Sequence, residues 1–194
     1  MTRRNKDLLL VALGLIMAAA GLFLRLTEQQ QEQLAGENAA LLLEVVSQQL
    51  PAAPAEPLPD EDPEDEPQSL AVMGYDVLGT LRIPSVDIDL PVLNDWSYDL
   101  LTVAPCRYSG SMETGDLVIL GHSYRTHLRP LRQVQIGDSV ELTDAAGTVH
   151  RYVVAEAEVL RGSDGSLLPS GYPLTIFTCT TDSKHRFLAR CAEA

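Results

Sequence analysis

The sequence predicts a mostly-β domain, a closed barrel or a sandwich of about 125 residues, carried behind an N-terminal membrane-spanning helix. Three observations lead there. Residues 8–24 are seventeen consecutive uncharged residues near the amino end. Residues 51–69 are dominated by proline and acid and separate that end from the rest of the chain. From Leu70 onward, short β-type runs follow one another closely, and helical signal shrinks to one or two turns at a time.

Residues 1–7 carry Arg3, Arg4 and Lys6, and Arg25 closes the apolar run of residues 8–24. At helical rise that run spans roughly 25 Å, the short end of what crosses a bilayer. The heavier positive flank on the N-terminal side predicts a single-pass protein of the cell membrane, its N-terminus cytoplasmic and the remainder outside. A cleaved signal peptide is the rival, with small residues at Ala18, Ala19 and Ala20. Apolar residues continue past them through Leu24, which favours an uncleaved anchor in contact with lipid. Residues 25–50 are rich in Gln, Glu, Leu and Ala, good helix formers, and read as a juxtamembrane helical stalk too short for sustained heptads. The prolines and like charges of residues 51–69 oppose a packed core and make that segment an extended linker rather than an acidic metal site.

Residues 70–194 hold the domain. "VLGTLRIP" and "VDIDLPVL" are β-rich runs, and "DLVILGH" is a continuous apolar strand suited to a sheet interior. "DSVELTD", the turn "AAG" and "TVHRYVVAEAEVL" form a hairpin, and "PLTIFTC" and "HRFLARC" supply two more strands. "YDLLTVAP" and "LRPLRQV" are helical for a turn or two.

Charge narrows the partners. The formal net charge is −13, but residues 51–69 hold seven acidic and no basic residues, while 70–194 hold fifteen acidic and ten basic. The acidity therefore belongs largely to the linker. Nucleic acid is excluded as a partner, because backbone binding needs clustered Lys and Arg.

Cys106, Cys179 and Cys191 show no paired C-x-x-C spacing, which argues against structural zinc. Cys179 sits where an apolar strand gives way to "TTDSK", so its sulfur can face a groove. A thiol attacks as its thiolate, which a nearby imidazolium or guanidinium favours. His122 ends the strand "DLVILG" and Arg186 opens "RFLARC", so the chain can supply both.

These residues carry a family resemblance. Thr175-Ile176-Phe177-Thr178-Cys179 resembles the sortase signature Thr-Leu-x-Thr-Cys, with Ile for Leu. Gly121-His122 after an apolar strand is similar to the family's histidine segment, and Arg186 matches its arginine. "LGTLRIPSVDIDLPVL" resembles its opening strands and "APCRYSGS" its approach to the histidine strand; together the match spans about residues 77–191. The resemblance implies a closed eight-stranded β-barrel with one or two short helices. It also implies a Gram-positive-type cysteine transpeptidase that cleaves a C-terminal sorting signal, often Leu-Pro-x-Thr-Gly-like. The acyl group then passes to an amine of a peptidoglycan precursor or a pilin-type protein. In that scheme Cys179 is the nucleophile, His122 the general acid and base, and Arg186 the oxyanion partner, with Thr178 assisting through hydroxyl or backbone. No cofactor or metal is called for.

Some alternatives stay open on sequence alone. Arg190 lies on the same face of its strand as Arg186 and is the alternative arginine. The short cysteine-to-arginine interval and the "GHSYRTH" segment leave the subclass between class B-like and class D-like. His127, His150 and His185 read as non-catalytic, and Asp182 as a loop carboxylate rather than an orienting group for His122. Cys106 and Cys191 can pair in an oxidising exterior, but Cys191 shares a face with Phe187 and Ala189 and is expected to be a buried thiol. An inactive membrane-anchored scaffold barrel, or a cysteine peptidase releasing peptide to water, would carry the same residues.

Overall fold

The computed structural model describes residues 3–51, 69–161, 171–180 and 184–194, with side chains from Leu10 onward. Asp182 and nearly all of the acidic linker thus lie outside the described residues. One helix, α1 (Arg3–Gln49), holds both the apolar run and the Gln- and Leu-rich segment behind it. The chain divides into two compact units, Met1–Leu34 and Ala35–Ala194. In the first, Leu10, Leu15, Ile16, Met17 and Phe23 are each more than half exposed, on a helix long and apolar enough to cross a membrane. In the second, the helix turns a stripe inward. Ala35, Ala39, Leu42 and Val46 are buried at intervals of four, three and four, the spacing of one helix face.

The strands are β1 (Leu70–Val72), β2 (Tyr75–Ile83), β3 (Ile88–Leu93), β4 (Cys106–Ser109), β5 (Leu117–Gly121), β6 (Ser139–Asp144), β7 (Val149–Arg161), β8 (Leu174–Cys179) and β9 (His185–Glu193). Their order is β1-β2-β3-β4-β5-β8-β9-β7-β6, and β6 returns to pair with β2. Eight strands, β2 to β9, therefore close the barrel, and β1 extends β2 as a short hairpin arm. The closure is tight at Gly79, which pairs with Val92 on one side and Asp144 on the other. A Cβ there would lie 1.9 Å from the Thr143 carbonyl oxygen, so only glycine fits. The two expected helical turns appear as 3-10 turns, Leu100–Thr102 and Pro130–Gln133.

Two large apolar clusters hold the unit. Leu81, Ile83, Leu117, Ile119, Leu142, Ile176 and Ala189 fill the barrel interior, joined by Leu128 and Leu131 from the connection after β5 and by Ala39 of α1. Leu42 and Val46 of α1 pack with Val72, Val77, Leu93, Leu101 and Cys106 in the second. All three cysteines are free. Cys191 lies in the barrel interior with Ala189, and Cys106 in the other cluster, so the two thiols belong to different cores rather than to one bridge. Burial pushes the Cys191 thiol up to about 12. Burial, then the charge of Asp95, does the same to Cys106.

Candidate active site

Three adjacent strands end together. β5 and β8 run parallel with Gly121 opposite Thr178, so His122 and Cys179 are the next residues on strands about 4.8 Å apart. β8 and β9 run antiparallel with Cys179 opposite Arg186. Alternation then decides which way the side chains go. Leu117, Ile119, Leu174, Ile176, Phe187 and Ala189 fill the interior, whereas Val118, Phe177 and Leu188 form a separate cluster on the outer surface. His122, Cys179 and Arg186 continue that outer set along their three strands. Cys179, His122 and Arg186 are all half-buried.

The backbone of this corner is tied from inside. Thr178 is fully buried, and its hydroxyl donates to the Gly121 carbonyl at 2.8 Å, which locks β8 to the strand that ends in His122. Gly121 has no room for a side chain, since a Cβ would lie 2.6 Å from Leu128 Cδ1. Thr180 is tied to His185 by two bonds to the His185 carbonyl, from the Thr180 amide at 3.0 Å and its hydroxyl at 3.2 Å. Burial lowers the pKa of His122, which favours the neutral imidazole and makes its imidazolium readier to give up a proton. Its ring stacks on Tyr124, centroids 4.8 Å apart and planes tilted by 36°.

Arg132 is a residue that sequence reasoning missed. Its Nη2 donates to the Cys179 carbonyl at 3.3 Å and to the Ser123 hydroxyl, so one guanidinium spans the ends of β5 and β8. Arg129 adds a bond from Nε to the Ser123 carbonyl at 2.9 Å. Nothing in "LRPLRQV" announces this, because the partner lies 47 residues away.

The remaining candidates sit elsewhere. Arg190 is opposite Thr175, two periods of alternation back along the barrel wall from Cys179, and it pairs with Glu158 at 2.9 Å and Glu156 at 3.2 Å. His150 bonds Asp144 at 2.8 Å across the β6–β7 hairpin. His127 is buried within the connection after β5. Among the described residues no group of His, Cys, Asp and Glu is placed to hold a metal. A row of rings leads away from the corner along the outer face: Phe177 meets Tyr108 at 5.5 Å, Tyr108 meets Trp96 at 5.4 Å, and Trp96 meets the exposed Tyr98 at 6.0 Å.

A thiol, an imidazole and a guanidinium at one strand-end corner, beside an apolar surface, are suited to acyl transfer from a peptide. Comparison with known proteins agrees. A Sortase domain model matches residues 81–194, more than half of the chain. Sortase A from Corynebacterium diphtheriae is 26% identical with a TM-score of 0.56, over 62% of this chain and 61% of that one. Clostridium perfringens sortase C, solved with the C-terminal cell wall sorting motif, is 21% identical with a TM-score of 0.54, over 62% of this chain and 71% of that one. A sortase D5 transpeptidase of Clostridium perfringens is 20% identical with a TM-score of 0.54, over 61% and 79% respectively. No curated protein matches the chain. The domain match begins inside β2 and runs through β9, over the closed barrel that carries Cys179 at its corner, and the chain belongs to the sortase family.

Proposed function

We propose that this protein is a membrane-anchored cysteine transpeptidase of the sortase family that cuts a C-terminal sorting signal and joins the new carboxyl end to an amine. One observation carries the reading: the registers of β5 with β8 and of β8 with β9, which support a shared site for His122, Cys179 and Arg186. Cys179 sulfur attacks the scissile carbonyl, its proton passing to His122, and a tetrahedral oxyanion forms. Arg186 stabilises that oxyanion as a fixed cation. The carbon–nitrogen bond breaks as the His122 imidazolium gives its proton to the departing amine, which leaves a thioester on Cys179. An incoming amine then attacks the thioester, His122 takes its proton, and Cys179 departs as the thiolate. The burial that lowers the pKa of His122 favours the donating step. Tyr108, Trp96 and Tyr98, backed by the buried Phe177, supply an aromatic surface along which a peptide can lie.

The sortase C neighbour solved with a C-terminal cell wall sorting motif supports a sorting-signal substrate. The motif resemblance adds a Leu-Pro-x-Thr-Gly-like form for that signal and an amine of a peptidoglycan precursor or a pilin-type protein as the acceptor. The apolar part of α1 supports the anchor, with Arg3, Arg4 and Lys6 on the cytoplasmic side and the barrel outside. The test is incubation with sorting-signal peptides, with and without an amine, followed by mass spectrometry. Wild type should give the amine adduct and a thioester at Cys179, and Cys179→Ala neither. Release of free acid alone, in the presence of amine, would make the protein a peptidase. No cleavage of any signal by wild type would favour the scaffold reading.

A further inference from the structure

The loop that follows β5 lies between the candidate general acid–base and helix α1. Its residues are tightly bonded to one another: the Leu128 amide donates to the His122 carbonyl at 3.1 Å, and the Tyr124 carbonyl accepts from the His127 and Arg129 amides at 3.1 and 3.0 Å. These bonds close the loop on itself. Its inner end is anchored on α1. His127 is 1% exposed, and its Nε2 lies 3.3 Å from the Ala35 carbonyl oxygen; a carbonyl only accepts, so Nε2 carries the proton. One residue further along the helix, Gly36 packs directly on the loop. A Cβ on Gly36 would lie 2.7 Å from Thr126 Cγ2 and 2.8 Å from its Cβ, so any side chain there displaces the loop.

From His127 the contact continues ring to ring. His127 meets Tyr124 with centroids 5.4 Å apart, and Tyr124 meets His122 at 4.8 Å. We propose that Tyr124 and His127 are positioning residues, which set the orientation of the His122 imidazole from helix α1 through this stack of three rings. Residues 35–39 of the helix are then part of the active-site architecture. The proposal rests on the transpeptidase reading for its effect on turnover, though not for the contact itself.

The physical basis is the sensitivity of proton transfer to geometry. An imidazole that must serve a thiol, a departing amine and an incoming amine has to be held near one orientation, and small displacements of a reacting group cost large factors in rate. The His122 backbone is fixed by β5, but its ring needs a neighbour to hold its side-chain torsions, and Tyr124 is the ring beside it.

The experiment uses the full chain in detergent micelles, with two readouts: steady-state cleavage of a Leu-Pro-x-Thr-Gly-type peptide, and the His122 imidazole resonances of histidine-labelled protein. Gly36→Val, remote from the chemistry, should lower kcat on the order of tenfold with KM near wild type, and should shift the His122 resonances. Tyr124→Leu should lower kcat similarly, and Tyr124→Phe, which keeps the ring, should recover most of it. The double variant Gly36→Val with Tyr124→Leu should be no worse than the poorer single variant, because both break one connection. If Gly36→Val does not fold, Gly36→Ala inserts one carbon at the same contact and is read the same way. Wild-type kcat and unshifted His122 resonances in the Gly36 variant would overturn the proposal, as would losses that multiply in the double variant. If wild type cleaves no peptide, the transpeptidase reading fails, and the resonances alone decide whether Gly36 reaches His122.

Discussion

Arg186 and Arg190 are two of a kind in sequence and different in place. Both continue the outer face of β9, so periodicity cannot separate them; the pairing partner does. Arg186 lies opposite Cys179, and Arg190 lies opposite Thr175 with two glutamates from β7 on its guanidinium. Arg132 reaches the Cys179 carbonyl from the 3-10 turn Pro130–Gln133, and it is a tie between strand ends rather than an oxyanion partner. The three arginines should therefore fail differently. Arg186→Ala should lose several orders of magnitude in kcat/KM with an unchanged melting temperature, and Arg186→Lys should also be poor, because a point charge does not reproduce the planar fork. Arg190→Ala should leave turnover close to wild type and cost at most about 1 kcal/mol, the usual range for a partly exposed ion pair. Arg132→Ala should fall between, lowering kcat on the order of tenfold. Peptide-cleavage kinetics beside thermal melts decide this, and a greater loss of kcat/KM in Arg190→Ala than in Arg186→Ala would overturn the arginine assignment.

Most strands were legible because their runs are long and apolar, and what escaped did so for local reasons. β1 is three residues joined to β2 by Met73 and Gly74, both with positive φ, 52° and 84°. That is a two-residue hairpin turn, but methionine in place of asparagine at its first position hides it. β4 is four residues long and gains its pairing from β5, with a register shift between Arg107 and Ser109 that interrupts alternation. Thr175 to Cys179 and Gly121-His122 were readable as motifs, whereas Arg132 and His127 meet partners distant in sequence, Cys179 and Ala35. The β6–β7 hairpin offers a test of its own. The Asp144 hydrogen bond, and to a lesser degree its charge, raise the pKa of His150 above 6.5 against the effect of burial. Burial pushes Asp144 up, but bonds from His150, Thr148 and Ala146 with the His150 charge bring it below 3.8. A histidine raised on folding stabilises fully below its unfolded value and loses that as pH rises through its folded value; the depressed carboxylate stabilises above its unfolded value and loses that as pH falls through its folded one. The pair should be strongest between roughly pH 4 and 6.5. The stability gap between wild type and His150→Gln, from urea unfolding, should therefore shrink from pH 6 to pH 9. A gap that grows over that range would contradict the pairing.

The composition of the chain changes at Leu70, yet the packing changes at Ala35. Contacts group Ala35–Ala194 as one compact unit, so the last turns of α1 belong to the barrel although a long acidic linker separates them in sequence. The reason is visible in the second apolar cluster. Leu42 and Val46 cover Val72, Val77 and Leu93, together with Leu101 of the turn Leu100–Thr102, residues that would otherwise form an apolar patch on the outside of β1, β2 and β3. A buried Leu or Val side chain contributes about 1.5–3 kcal/mol and each buried Ala less, so the stripe from Ala35 to Val46 is worth on the order of 5 kcal/mol. That is comparable with the whole stability of a domain this size, about 5–15 kcal/mol. A protein beginning at Ala35 should therefore melt at the temperature of the full chain. One beginning at Leu70 should melt lower by on the order of 10 °C or more and should bind a hydrophobic dye where the helix lay. Adding residues 35–50 back as a separate peptide should restore part of the loss and quench the dye signal. If the protein beginning at Leu70 melts with the full chain, the helix is only a tether, and the cluster it forms with β1–β3 adds nothing to the fold.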